Sequence, residues 1–224
     1  ILTGTFVVLP LLLRDEAAVL ASDHWKIYLP VLLCSIALMI PFIILAERRG
    51  HTRPVFLGAI ALLMLALAGL YILPLTLVSA LAMLLLFFAA FNLLEAMLPS
   101  LISRVAPVDC RGTAMGFYSS SQFMGAFAGS VAAGWLHGQF GLHAFFLVAA
   151  GAALLWLLLA LGMVPPAKLS NFIYRLAGPS AADPAGLAER LRQLPGVAEA
   201  VVVAEEGVAY LKVDRRVFDE ASLP

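Results

Sequence analysis

The side chain with the clearest chemical potential is Glu95, which stands in the apolar stretch 78–103 with Asn92 three residues before it. On a helix, positions three apart are neighbours, so the amide could hold the acid or bind a solute beside it. A lone acid at membrane depth costs on the order of 2.5–3.5 kcal/mol, so such residues are usually paired or line a wet cavity. A carboxyl that water reaches intermittently can alternate between neutral and charged forms, which makes Glu95 a candidate proton carrier. Two plainer readings stay open: a salt bridge to Arg48, Arg49 or Arg104 that closes one end of a pathway, and passive packing.

A second polar block, Tyr118, Ser119, Ser120, Ser121 and Gln122, opens the stretch 112–137. Tyr118 and Gln122 join Glu95 and Asn92 as the expected lining of a proton or substrate cavity. The bland alternative is hydrogen bonding between helices. The same stretch carries Gly112/Gly116, Gly125/Gly129 and Gly134/Gly138. Glycines four apart open a flat stripe where another backbone can approach, so helix packing is expected, with a sliding surface as the sharper reading.

Glu47, Arg48, Gly50 and Arg53 lie in one short connection, and Arg104 and Arg111 flank another. Together they form a candidate cytoplasmic gate. Glu47 could face the positive end of the helix that begins near Gly112, or pair with a neighbouring arginine. Releasing either contact would favour one conformational state. The bland reading is topological, since arginines near span ends hold a loop on one side.

The elements that must position these groups follow from composition. The chain is 62% hydrophobic and 12% charged, against about 25% charged in soluble domains. Lipid must therefore be part of its solvent. A spanning helix needs roughly 20 apolar residues. Five such stretches occur, 27–46, 55–73, 78–103, 112–137 and 142–163, with a partial one at 1–13. Spans 55–73 and 142–163 carry almost no polar groups and are expected to face lipid on most sides. Spans 78–103 and 112–137 are expected to turn their polar faces inward. Pro41 and Pro99 lie inside spans as candidate kinks. Trp25, Tyr28, Tyr71, Trp135 and Trp156 read as interface or packing aromatics.

Arg48, Arg49, Arg53, Arg104, Arg111 and Lys168 share one side of this arrangement, and Arg14 and Lys26 the other. The bias places the first side, and the C-terminal tail, in the cytoplasm. The net charge is zero, which gives no argument for nucleic acid or a polybasic lipid anchor. Cys34 and Cys110 are far apart and form no CxxC, so no disulfide framework is expected. Ile1 opens an already apolar run and FDEASLP stops at the start of an expected helix, so both ends are expected to be cut.

The composition changes after Pro165-Pro166. Residues 167–224 hold 15 of the 28 charged residues. KLSNFIYRLA reads as a strand and DPAGLAERLRQL as a short helix, with Asp183 as N-cap and Pro184 at its first position. VAEAVVVA and VAYLKVD read as strands around Glu205-Glu206-Gly207, and VFDEASL as helical. The expected organisation is a transmembrane α-helical bundle over 1–164, then a small α+β ferredoxin-like domain over 165–224.

The loop 46–54, AERRGHTRP, resembles the acid-base-x-glycine signature of the major facilitator superfamily in its second-half copy. Glu47 stands for the acid, Arg48 for the base and Gly50 for the glycine, while His51 and Thr52 replace the usual basic pair. The segments 91–103 and 111–116, then Ser120-Ser121-Gln122-Phe123 and the polar tail, resemble YajR-type inner-membrane transporters over the whole chain. The resemblance implies transmembrane helices 7 to 12 of a twelve-helix, proton-linked exporter of the drug-antiporter kind in the bacterial inner membrane. Its implied partners are the bilayer, an N-terminal six-helix half, protons and a small-molecule substrate.

The phrase LPGVAEAVVV resembles heavy-metal-associated domains, which hold soft metals through a CxxC before the first helix. Residues 178–184 hold no cysteine, so no metal is expected by that route, and no other cofactor is expected. Secondary transport by rocking of two halves is thus the leading expectation. The rival is a membrane-anchored sensor whose cytoplasmic domain binds a ligand or partner. An enzyme or an ATP-driven pump finds no GxGxxG, HExxH or Walker motif to stand on.

Overall fold

The computed structural model describes residues 1–17, 19–74, 76–106, 110–163, 169–175, 184–203, 207–214, 217–219 and 223. Lys168, Pro165-Pro166, Gly178 to Asp183 and Glu205-Glu206 lie outside the described residues. The chain divides into two compact units, Ile1–Pro165 and Pro166–Pro224.

Six long helices build the first unit: α1 (Leu2–Asp15), α2 (His24–Glu47), α3 (Thr52–Ile72), α4 (Leu77–Val105), α5 (Arg111–Phe140) and α6 (Ala144–Leu161). They fall within a few residues of the apolar stretches, because hydrophobic length dictates where a spanning helix must run. The α2 segment with its leading turn, together with α3, α4 and α6, is long and apolar enough to cross a membrane. The other two helices fall short of that description for different reasons. Helix α1 has only 14 residues, and α5 is long but rich in glycine and serine. Backbone hydrogen bonding continues as helix past Pro10, Pro30, Pro41 and Pro99. Helix α4 starts on a capping box, in which Thr76 and Ser79 satisfy each other's backbone N–H.

The core is a set of apolar stripes. Helix α3 buries Val55, Phe56, Ala59, Ile60, Leu63, Ala66, Leu67 and Leu70, a helical period, against α4 and α6. Helix α4 buries Leu84, Phe87, Ala90, Leu93, Leu94 and Met97 between α3 and α2. Burial within this chain is shared unevenly among the helices. Helix α3 is deeply packed, whereas α5 buries only Ala133 and Leu136 among its described residues. A helix that is apolar all round can bury any face. Helix α5 instead keeps its serines, glycines and large apolar side chains such as Phe117, Phe123 and Phe127 outward.

Helix α1 crosses α5 closely. The Thr3 hydroxyl donates to the Ala126 carbonyl at 2.8 Å. A Cβ on Gly4 would lie 2.6 Å from the Phe145 ring and 2.7 Å from the Gly129 carbonyl oxygen, so only glycine fits that crossing.

The second unit holds β1 (Leu169–Arg175), α7 (Pro184–Arg192), β2 (Val197–Val203) and β3 (Val208–Asp214). The strands form an antiparallel sheet in the order β1-β3-β2, the order of the first three strands of a ferredoxin-like sheet. Leu187 and Leu191 of α7 pack with Ala200, Ala209 and Leu211. Where the expected helix after β3 would begin, residues 217–219 form a turn in which the Val217 and Phe218 N–H groups both donate to the Asp214 carbonyl; residues 220–222 of that segment lie outside the described residues. Phe218 thereby lays its ring 5.4 Å from Phe172 and its backbone over Gly196. Gly196 has φ 83° and leaves no room for a Cβ, which would come within 2.6 Å of the Phe218 nitrogen.

Candidate functional site

A cavity of about 600 Å3 lies in the first unit, with walls from α1, α3, α4, α5 and α6. Phe91, Leu94 and Leu98 of α4 and Trp156 of α6 make most of it apolar. Its polar groups are few and adjacent: Glu95, Tyr118, Gln122 and Thr3. Mostly apolar walls with a few convergent polar groups are the usual make-up of a small-molecule site.

Glu95 and Gln122 are joined directly. Gln122 Nε2 donates to Glu95 Oε1 at 2.7 Å, linking α4 to α5. This accounts for the glutamine in the polar block of α5, since an acid at this depth needs a donor. The Tyr118 hydroxyl, one turn before Gln122, is buried and has no hydrogen-bond partner among the described residues. Ser121 bonds back to the Phe117 carbonyl of its own helix at 2.9 Å. Three of the four expected cavity residues are thus brought together.

Asn92 is the exception. Its side-chain nitrogen donates to the Ser35 hydroxyl of α2 at 2.9 Å, and it is not part of the cavity wall. Ser35 is fully buried and in turn donates to the Leu32 carbonyl. Thr3 and Ser35 both act on polar groups of other helices, and neither was singled out from sequence. Their signal is a lone hydroxyl in an apolar run.

Two of the residues expected to form a gate, Glu47 and Arg104, meet at the ends of α2 and α4. Glu47 accepts from the Arg104 guanidinium and from the Ser100 hydroxyl, the latter at 3.2 Å. Among the described residues Glu95 forms no salt bridge, and Arg104, one of the three arginines considered for it, is engaged by Glu47. Arg53 Nη2 donates to the Leu161 carbonyl at 2.6 Å, closing the C-terminal end of α6. Gly50 has φ 69°, the left-handed conformation that lets α2 stop and the chain turn into α3. Arg48 is exposed, and the Arg111 Nε is buried without a partner among the described residues. Glu47 is thus tied to Arg104 and Ser100, so of the two contacts expected for it the structure shows the arginine pair.

Of the six stripe glycines, only Gly129 meets another element, with a Cβ position 3.6 Å from the Thr3 hydroxyl. Gly112, Gly116, Gly125, Gly134 and Gly138 face open space.

The sequence profile of the Major Facilitator Superfamily matches residues 2–201. The chain is 39% identical over 217 residues to the inner membrane transport protein YajR of Escherichia coli (strain K12), covering 97% of this chain and 47% of that protein. It is 32% identical over 110 residues to the uncharacterized transporter BU466 of Buchnera aphidicola subsp. Acyrthosiphon pisum, covering 48% of this chain and 28% of that one. The chain thus spans about half the length, or less, of the curated relatives it matches.

Proposed function

Because this chain belongs to the major facilitator superfamily of membrane transporters, we propose that it supplies the second helical half of a proton-coupled exporter of small molecules working by alternating access. The observation that carries this reading is the Glu95–Gln122 pair on the wall of a largely apolar cavity. An apolar pocket suits an amphipathic solute, and an acid held by a neutral amide can take up a proton without losing its partner. A protonated carboxyl still accepts from the amide through its carbonyl oxygen. Coupling follows if proton and substrate compete for the ionised form.

In this reading α1 to α6 are helices 7 to 12 of a twelve-helix protein in a bacterial inner membrane. The first half covers the exposed face of α5, and the 47–54 loop and the tail lie in the cytoplasm, as the basic-residue bias directs. The Glu47–Arg104 pair is the latch that holds one access state. The decisive experiment is flux through the whole protein in proteoliposomes, with and without an imposed proton gradient. Gradient-driven flux in wild type that vanishes in Glu95→Gln supports the proposal. Equal flux in both overturns the assignment of the proton to Glu95.

A further inference from the structure

A second cleft, of about 370 Å3, lies between α2, α3 and α4, away from the Glu95 cavity, and shares none of its lining residues. Its base is Ala59, Ala89 and Leu93, all buried. Its outer wall is Leu38 and Phe42 of α2, 41% and 44% exposed, so the slot is open at the helix surface. Gly58 of α3 is part of the lining, and a Cβ there would meet nothing within 4 Å. These three helices are among those apolar and long enough to cross a membrane, and in that bilayer reading the open side of the slot faces hydrocarbon.

One end of the slot is polar: the His51 side chain is part of its lining. The residues just before it in the same turn are Arg48 and Arg49, both exposed. Neither forms an ion pair among the described residues, because the neighbouring acid, Glu47, is engaged by Arg104. A hydrocarbon slot at membrane depth that ends in uncompensated cations has the charge pattern of a phospholipid read from tail to head.

We propose that this cleft holds an acyl chain of a bilayer phospholipid, with its anionic headgroup taken by His51 and the Arg48–Arg49 turn. The proposal rests on the bilayer reading of α2 to α4 and not on transport. Glycine at position 58 keeps the slot open for the chain, and the cations select the headgroup. An arginine near an anionic lipid surface confers a preference of roughly fivefold.

The test is native mass spectrometry of the whole protein, stripped of lipid in detergent and then offered phosphatidylglycerol or phosphatidylcholine of equal chain length. Wild type should retain one phosphatidylglycerol per chain, with a preference over phosphatidylcholine of about fivefold or more. Gly58→Phe, which fills the slot, should lower retention of both lipids by about tenfold or more. Arg48→Gln with Arg49→Gln and His51→Gln should lose the headgroup preference while still retaining phosphatidylcholine, which keeps the proposal testable if the filled variant folds badly. Wild type that retains no lipid would mean another segment or a solute fills the slot. Equal retention of the two lipids, or undiminished retention in folded Gly58→Phe, would also overturn the proposal.

Discussion

Asn92 donates to the buried Ser35 hydroxyl across 2.9 Å, and so belongs to the α2–α4 seam rather than to the cavity that holds Glu95. Asn92 and Glu95, three residues apart on α4, are therefore placed differently: Asn92 ties two helices, and Glu95 is part of the cavity wall.

That division gives a first prediction. Asn92→Ala should destabilise the folded bundle by about 0.6–1.7 kcal/mol, the range measured for hydrogen bonds between membrane helices. It should leave the pH dependence of flux unchanged. Denaturation in mixed micelles gives the first number, and flux at several pH values checks the second. A shifted pH profile would return Asn92 to the cavity.

Gln122→Ala removes the donor to Glu95 without removing the acid. Flux should fall, but less than in Glu95→Gln, because the acid remains and loses only its amide donor. Proteoliposome flux of the two variants side by side checks the order. Flux equal to wild type in Gln122→Ala would show that the pair does not matter during turnover.

Glu47 and Arg104 are each 40% exposed, so their pairing should contribute only about 0.2–1 kcal/mol to stability in a double-mutant cycle. If the pair is the latch, Glu47→Ala should nonetheless change the ratio of the two access states severalfold. Accessibility of an introduced cysteine to a membrane-impermeant thiol reagent reads that ratio. Normal insertion with an unaltered ratio and normal flux removes the latch.

Gly4→Ala and Gly125→Ala should differ sharply. The first places a methyl group against the Phe145 ring and the Gly129 carbonyl and should cost about 1–3 kcal/mol. The second meets nothing within 4 Å among the described residues. If Gly125→Ala impairs assembly of the whole protein as much as Gly4→Ala, a segment outside this chain packs on that stripe.

Hydrophobic length and alternation marked every long helix and all three strands to within a few residues, because burying apolar surface and satisfying backbone hydrogen bonds are demands each segment meets largely by itself. The turn after β3 escaped this logic. VFDEASL has helical composition, but its described residues 217–219 form a turn, with Phe218 against the Phe172 ring and over Gly196.

Acids, amides and glycine pairs stand out against leucine, so the sequence could name candidate polar residues. What it left open was their partners. Residues three apart on a helix differ by about 60° around its axis. That angle is enough to send Asn92 to α2 while Glu95 meets α5. Likewise Arg104 was a candidate partner for Glu95, and the helix ends deliver it to Glu47. Which neighbour occupies a given direction is a property of how the helices are arranged. Only the tertiary structure supplied that arrangement, because packing between separate helices is not written in the periodicity of any one of them.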